Sequence, residues 1–164
     1  MGMEIRQFGL IGVSIFEVWL CYRLLACTVI KEKYLYIRDK IVMWLSILLA
    51  GVLLGNNRKL VFFSYTMFFI VFALTSLSGW IIKGKEGILI TEIVVSYYSL
   101  VALLDFFWSF ISMIFLKQYF IREYFRSPQT WYTFFIFLCS RILVFIVFVY
   151  TEKKFNEKII IETF

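Results

Sequence analysis

Long apolar stretches separated by short charged segments constrain this chain more than any other feature. A membrane-spanning helix needs about 20 mostly apolar residues, and the stretches here are continuous, without the alternation of a membrane barrel strand. Five of them can be delimited, at residues 8–30, 41–55, 60–82, 88–116 and 131–150. The sequence therefore predicts an all-α fold, a polytopic integral membrane helix bundle with about five transmembrane helices. This domain covers residues 1–150, and a charged cytoplasmic tail covers 151–164.

The composition excludes an ordinary soluble domain. Hydrophobic residues make up 62% of the chain, whereas soluble domains have about 45–50% apolar residues. Two stretches have unusual lengths for spans. The stretch 41–55 covers only about 22 Å as a helix, so its helix should begin within the preceding Tyr34–Lys40 segment or thin the bilayer locally. The stretch 88–116 covers about 43 Å, which requires tilt or projection beyond the membrane.

The basic residues are concentrated between the apolar stretches, as at the faces of a membrane protein. The formal net charge is +6, and no stacking motif or separate basic domain indicates nucleic-acid binding. With the N-terminus outside, nine Lys and Arg residues are inside: Lys31, Lys33, Arg38, Lys40, Lys83, Lys85, Lys153, Lys154 and Lys158. Six are then outside: Arg6, Arg58, Lys59, Lys117, Arg122 and Arg126. This difference favours a plasma-membrane protein with its N-terminus outside and its C-terminus cytoplasmic.

Three ionisable residues, Glu17, Asp105 and Arg141, lie deep within predicted spans. Charges in a membrane interior are costly and are functional hypotheses by default. At 1.5 Å per residue, all three lie about 14–17 Å from the predicted outer helix ends. Their similar depth permits one buried cluster, in which the guanidinium fork pairs with two carboxylates. Two interpretations stay open: a ligand pocket or two-state switch, and a structural ion pair that orients the helices.

Small residues at helical spacing mark candidate packing faces. In the fourth stretch, Ser96 and Ser99 follow Glu92 at helical spacing, and Ser109 and Ser112 follow Asp105 at the same spacing. Small polar residues on one helix face either pack against another helix or line a cavity. Both interpretations stay open for these serines. Gly51 and Gly55 form a G-x-x-x-G pattern, which permits close helix approach. The connection 117–130 is both aromatic and basic, and it should lie along the membrane interface through Tyr119, Arg122, Tyr124 and Arg126.

No pattern indicates an enzyme, a cofactor or a metal site. The chain has no histidine, which removes His-based catalysis and His metal ligands. No metalloprotease, Walker or nucleophile-elbow motif is present. The cysteines lie within apolar stretches, where packing is the expected role of Cys21, Cys27 and Cys139. Leu24–Cys27 resembles a lipoprotein cleavage box, but Glu17 and Arg23 are atypical of a signal peptide, so an uncleaved span is expected.

The arrangement resembles the membrane sensor module of GHKL-type histidine kinases, the peptide quorum-sensing receptors of Gram-positive bacteria. The resemblance is carried by the segments Phe16–Trp19 and Tyr22–Arg23, the Asn56–Asn57 turn, the acid in Leu103–Asp105, and Ser140–Ile142 leading to Lys153–Lys154. It implies an extracellular peptide ligand, a homodimer and a cytoplasmic signalling partner. Such sensors often have six or seven spans, and their kinase half has no counterpart in this sequence.

Two main functions follow from these observations, besides a purely structural membrane protein. The first is a sensor or receptor module that binds an extracellular peptide or small ligand and signals through its last helix. A ligand transmits a signal only if it binds two conformations with different affinities. The second is a small integral subunit of a transport or assembly complex, in which the buried charges line a path or dock a partner helix. The inverted repeats of many transporters are not visible.

Overall fold

The structure, a computed structural model, describes residues 2–30, 36–57, 65–115 and 138–150. These residues form helices and short turns, and no strand occurs among them. Five α-helices are described: α1 (Gly2–Leu25), α2 (Ile37–Asn57), α3 (Tyr65–Ile82), α4 (Gly87–Phe115) and α5 (Leu138–Tyr150). A π-helical turn, Ala26–Ile30, continues α1, and a 3₁₀ turn, Gly84–Glu86, precedes α4.

Two of these helices are long and apolar enough to cross a membrane, Gln7–Ile30 and Gly84–Trp108. Two shorter apolar helices, Phe69–Ile82 and Leu138–Tyr150, accompany them. The predicted fourth stretch, 88–116, agrees closely with α4, and α2 begins at Ile37 within the segment expected from the short stretch 41–55. The predictions for 58–64, 116–137 and the tail 151–164 lie outside the described residues.

The first helix is longer than predicted, because α1 begins at Gly2 and not at Phe8. The prediction placed its start at the first apolar run, but a polar segment with no proline can extend a helix beyond that run. The regular helix ends at Leu25, and the π-helical turn covers the last five residues of the predicted stretch. Burial of Glu17, Val18, Leu20, Cys21 and Tyr22 involves more than one side of α1, so this helix is central to the bundle.

The other helices surround α1 in a simple order. Helix α1 packs against α2, α2 against α3, and α3 against α4, while α4 also contacts α1. Helix α5 joins the same core, because Val144 and Phe148 are buried with residues of the other helices and the Phe145 ring lies 5.9 Å from that of Phe16. The helices therefore enclose one hydrophobic core around α1.

Helices α1 and α2 approach one another closely at the predicted G-x-x-x-G pattern. A Cβ added to Gly51 would lie 2.7 Å from Cα of Ile15, and one added to Gly55 would lie 2.5 Å from Cα of Ile11. No larger residue fits such distances without a shift of backbone. The two glycines therefore let the α2 backbone approach that of α1, as small residues do between membrane helices.

Candidate functional site

The three deeply placed ionisable residues meet at one point in the core. Glu17 on α1, Asp105 on α4 and Arg141 on α5 have side chains that are 0%, 1% and 1% exposed. We call these three residues the charge cluster. Their common depth was expected from the 1.5 Å rise per residue, and the structure brings them into contact. Their role as ligand or switch residues stays a prediction.

Arg141 holds both carboxylates through different edges of its guanidinium group. Its Nε donates to Oε2 of Glu17 at 2.7 Å, and its Nη2 lies 2.6 Å from the same oxygen. Its Nη1 donates to Oδ1 of Asp105, and Nη2 donates to Oδ2 of Asp105 at 3.0 Å. Two parallel contacts to one carboxylate are the arrangement that the planar arginine fork favours. The cluster consequently ties α5 to α1 and α4 at once.

A serine beside Arg141 adds a hydrogen bond to Asp105. The Ser140 hydroxyl donates to Oδ1 of Asp105 at 2.9 Å, and Arg141 Nη1 donates to the Ser140 oxygen at 2.9 Å. The Tyr97 hydroxyl donates to the backbone carbonyl of Glu17 at 2.7 Å and so joins α4 to α1 a second time. Neither contact was predicted from the sequence, because serine and tyrosine in an apolar stretch carry no signal of their partners.

The charge cluster has a formal net charge of −1, since two carboxylates face one guanidinium group. Removing an ion from water costs roughly several kcal/mol. A buried charge is therefore tolerated only when it is paired and hydrogen-bonded. Arg141 is therefore the residue on which both acids depend. Chemically, the arrangement can hold three helices in one register.

A second polar group lies on the other side of α1. The Tyr22 hydroxyl donates to Oγ of Ser46 on α2 at 2.7 Å and contacts Oγ of Ser78 on α3. Ser78 in turn donates to the carbonyl of Thr75 at 2.9 Å. We call Tyr22, Ser46 and Ser78 the hydroxyl cluster. It joins α1, α2 and α3 without any charge, and sequence reasoning did not identify it.

The remaining predicted residues differ in outcome. Ser96 and Ser99 were expected to face other helices or a cavity, but both side chains are exposed. They lie on the opposite face of α4 from its buried residues Ile90, Val94, Tyr97, Tyr98, Val101 and Asp105. Helical periodicity separates the two faces, and the larger side chains occupy the buried one. Packing of Ser96 and Ser99 on another helix is therefore not observed, although Ser96 borders an open groove described below.

Some predicted residues lie outside the described residues, and the burial of others differs from the prediction. The side chains of Ser109 and Ser112, and the loop residues Tyr119, Arg122, Tyr124 and Arg126, lie outside the described residues. Of the three cysteines, only Cys21 is buried; Cys27 and Cys139 are exposed, so a packing role for all three was wrong. Within the described ranges, no group of three or more acidic or cysteine side chains is arranged to hold a metal ion.

Many large apolar side chains lie on the outer surface of the bundle, while the charge cluster lies inside it. Large apolar side chains are exposed along α2 to α5, among them Trp44, Phe69, Leu103, Phe106 and Ile146. An exposed apolar surface of this extent indicates contact with lipid or protein.

Comparisons with models of known protein families, with curated proteins and with solved structures find no match to this chain.

Proposed function

We propose that this chain is a multi-pass membrane protein with about five spans, in which the charge cluster holds the last helix in a position that a ligand can change. The observation that supports the proposal is the pairing of buried Arg141 with carboxylates of two other helices inside a bundle whose outward side chains are apolar. In lipid, polar side chains that bind across helices face the bundle interior. The same surface in water would expose many large apolar groups.

The proposed activity is that of a sensor module. An extracellular peptide or small ligand would bind near the outer helix ends, and α5 would carry the change to the cytoplasmic side. The charge cluster suits this role because the polar contacts of α5 with α1 and α4 come from two adjacent side chains, Ser140 and Arg141, and such contacts can be exchanged for others. Bistable packing of this kind is a common basis of switching. A homodimer and a cytoplasmic partner would complete the signal path.

Membrane topology is the first test of this proposal. Single cysteines are introduced at Asn57, Ser127, Lys33 and Glu157 in a background that lacks the native Cys residues. Intact cells are treated with a membrane-impermeant maleimide, and permeabilised cells serve as the control for reactivity. Labelling of intact cells at Asn57→Cys and Ser127→Cys alone agrees with five spans and a cytoplasmic C-terminus. Labelling at Glu157→Cys contradicts the sensor and favours a small subunit of a transport or assembly complex.

A second test asks whether the cluster controls the position of α5. Spin labels at exposed Leu48 on α2 and exposed Ile146 on α5 report the distance between these helices in the reconstituted protein. The neutral variant Glu17→Gln/Asp105→Asn/Arg141→Gln keeps side chains of similar size but removes the charges. We expect its α2–α5 distance distribution to broaden or shift, while a reference pair at Leu48 and exposed Leu77 on α3, a helix that takes no part in the charge cluster, is unchanged. If the distance distributions of both spin-label pairs are unchanged, the cluster has a structural role only.

A further inference from the structure

Helices α1 and α4 leave a groove open on the surface of the bundle. The two helices meet where the Tyr97 hydroxyl donates to the backbone carbonyl of Glu17 at 2.7 Å. A groove of about 300 Å³ between them is lined by Leu24, Thr28, Leu89, Glu92, Ile93 and Ser96. We call it the α1–α4 groove. From Leu89 to Ser96 it follows α4 for about 10.5 Å, which is the length of about two helical turns.

The α1–α4 groove has apolar walls and polar side chains at its rim. Leu24 and Ile93 are half-buried, whereas Glu92 and Ser96 are exposed. Glu92 lies about 7.5 Å and Ser96 about 13.5 Å from the start of α4, so both belong to the helix Gly84–Trp108, which is long and apolar enough to cross a membrane. In lipid, polar side chains within a span are expected to face another helix or a cavity.

Glu92 differs from the other acidic side chains that the structure describes. Four of these form ion pairs with Lys or Arg: Glu17, Asp39, Glu86 and Asp105. Within the described ranges, Glu92 makes no ion pair and no side-chain hydrogen bond. Because an anion in a membrane span is usually paired with a cation, a partner that binds at this groove should supply a positive charge.

We propose that the α1–α4 groove docks a transmembrane helix of another protein, one that carries a Lys or Arg near its cytoplasmic end. The cation pairs with Glu92, and apolar side chains of the partner pack against Leu24 and Ile93. Lys and Arg are frequent near the cytoplasmic ends of spans, and the start of α4 is cytoplasmic in the topology proposed above. The inference rests on the proposed membrane location and topology, but it does not require the sensor activity.

Charge distinguishes this partner from the other possible occupants of the groove. A second copy of this chain, packed through the same face, would bring two Glu92 carboxylates together, and like charges repel. A lipid acyl chain would cover the apolar walls but would supply no cation. A partner helix without a basic residue would leave Glu92 in the same position. Since Glu92 is exposed, its pairing should change the affinity of a partner helix by about fivefold.

The test measures how designed transmembrane peptides bind the full chain in phosphatidylcholine vesicles. Each peptide is a Leu/Ala helix of about 20 residues with Lys, Gln or Glu about five residues from one end, the depth of Glu92 in α4. A donor on Tyr36→Cys, in a background that lacks the native Cys residues, and an acceptor on the peptide report binding by energy transfer. The Lys peptide should bind about fivefold more tightly than the Gln peptide, and the Glu peptide should bind most weakly.

Two pairs of variants locate the effect at the groove. Glu92→Gln should bring the ratio of Lys to Gln peptide affinities close to one. Its control is Glu86→Gln, which removes the same charge from a residue that already pairs with Lys83 outside the groove, and which should keep the ratio. Ser96→Leu fills the groove and should weaken both peptides. Its control is Ser99→Leu, at an exposed position of α4 that does not line the groove, and it should weaken neither.

Several results would overturn the inference. Equal binding of the Lys and Gln peptides, an unchanged ratio in Glu92→Gln, or an equal loss of the ratio in Glu86→Gln each contradict it. Energy transfer between two labelled copies of the chain that Ser96→Leu abolishes would assign the groove to a second copy, and it contradicts the inference too.

Carbonate extraction of cells that express the chain separates this failure from that of the membrane proposal. A chain that stays in the membrane pellet but shows no preference for the Lys peptide contradicts the docking site alone. A chain that carbonate releases contradicts the membrane location as well.

Discussion

Helix α1 is bound to its neighbours in two different ways, and the two sides can be compared directly. Towards α2, two glycines let the backbones approach, and the hydroxyl cluster adds uncharged hydrogen bonds. Towards α4 and α5, the contact depends on the charges of Glu17, Asp105 and Arg141. The geometry of a close-packed contact cannot change much without a shift of the backbone. A charged contact depends on which partners are present, so it can be rearranged. The α1–α2 side therefore suits a fixed scaffold, and the α5 side suits a moving part.

The largest effect should come from removing the cation of the charge cluster. Arg141→Ala leaves the carboxylates of Glu17 and Asp105 buried together with no positive charge. Breaking a buried pair in this way costs about 3–5 kcal/mol, and the like charges repel one another besides. We expect a loss of this size in the free energy of unfolding, measured by denaturant titration of the purified protein in detergent micelles.

The control for Arg141→Ala is Lys83→Ala. The side chains of Lys83 and Glu86 are 38% and 44% exposed and Nζ of Lys83 lies 3.9 Å from Oε1 of Glu86, so the loss of this pair should cost about 0–1 kcal/mol, as for other surface pairs. Equal and small losses for both variants would break the comparison, because α5 would then be held by apolar packing and not by charge.

Neutralising the acids should restore much of what Arg141→Ala loses. In Glu17→Gln/Asp105→Asn/Arg141→Ala no uncompensated charge is buried, so the penalty for two unpaired buried carboxylates is removed. We expect the triple variant to be more stable than Arg141→Ala by about 2–3 kcal/mol, measured in the same titration. A triple variant that is no more stable than Arg141→Ala would show that its loss arises from packing of the arginine side chain.

Glycine replacements test the close-packed side of α1. Gly51→Ala and Gly55→Ala place a Cβ within 2.7 Å of α1 backbone atoms, and overpacking of this kind costs about 1–3 kcal/mol. Gly12→Ala on α1 is the matched control, because a Cβ there meets nothing within 4 Å. It should be neutral or stabilising by about 0.5–1 kcal/mol, since glycine is unfavourable in a helix interior. Thermal unfolding midpoints, measured by fluorescence-detected size exclusion, should be higher for Gly12→Ala than for Gly51→Ala and Gly55→Ala. Equal midpoints for all three variants would contradict the close contact.

The two sides of α1 also differ in how well the sequence predicted them. Depth along a helix follows from residue number and the 1.5 Å rise, so the meeting of Glu17, Asp105 and Arg141 was predictable. The direction that a side chain faces depends on the order in which helices surround one another. That order was not available from spacing alone, which is why the hydroxyl cluster was missed and why packing against a helix and lining of a cavity both stayed open for Ser96, whose side chain is exposed. The start of α1 was misplaced because polar residues before the apolar stretch also form helix.

The smallest effect should come from the hydroxyl cluster, and it measures how much uncharged hydrogen bonds add to close packing. Tyr22→Phe removes the donor to Ser46 at 2.7 Å and the contact with Ser78, but it leaves the buried ring in place. Ser78 keeps its bond to the Thr75 carbonyl, so only part of the network is lost. Interhelical hydrogen bonds in membranes are worth about 0.6 kcal/mol on average, and we expect a loss of that order in the free energy of unfolding. Tyr36→Phe, at a side chain that is 79% exposed, should show none. A loss for Tyr22→Phe as large as that for Arg141→Ala would mean that the scaffold side also depends on its polar contacts, and the distinction between a fixed side and a moving side would not hold.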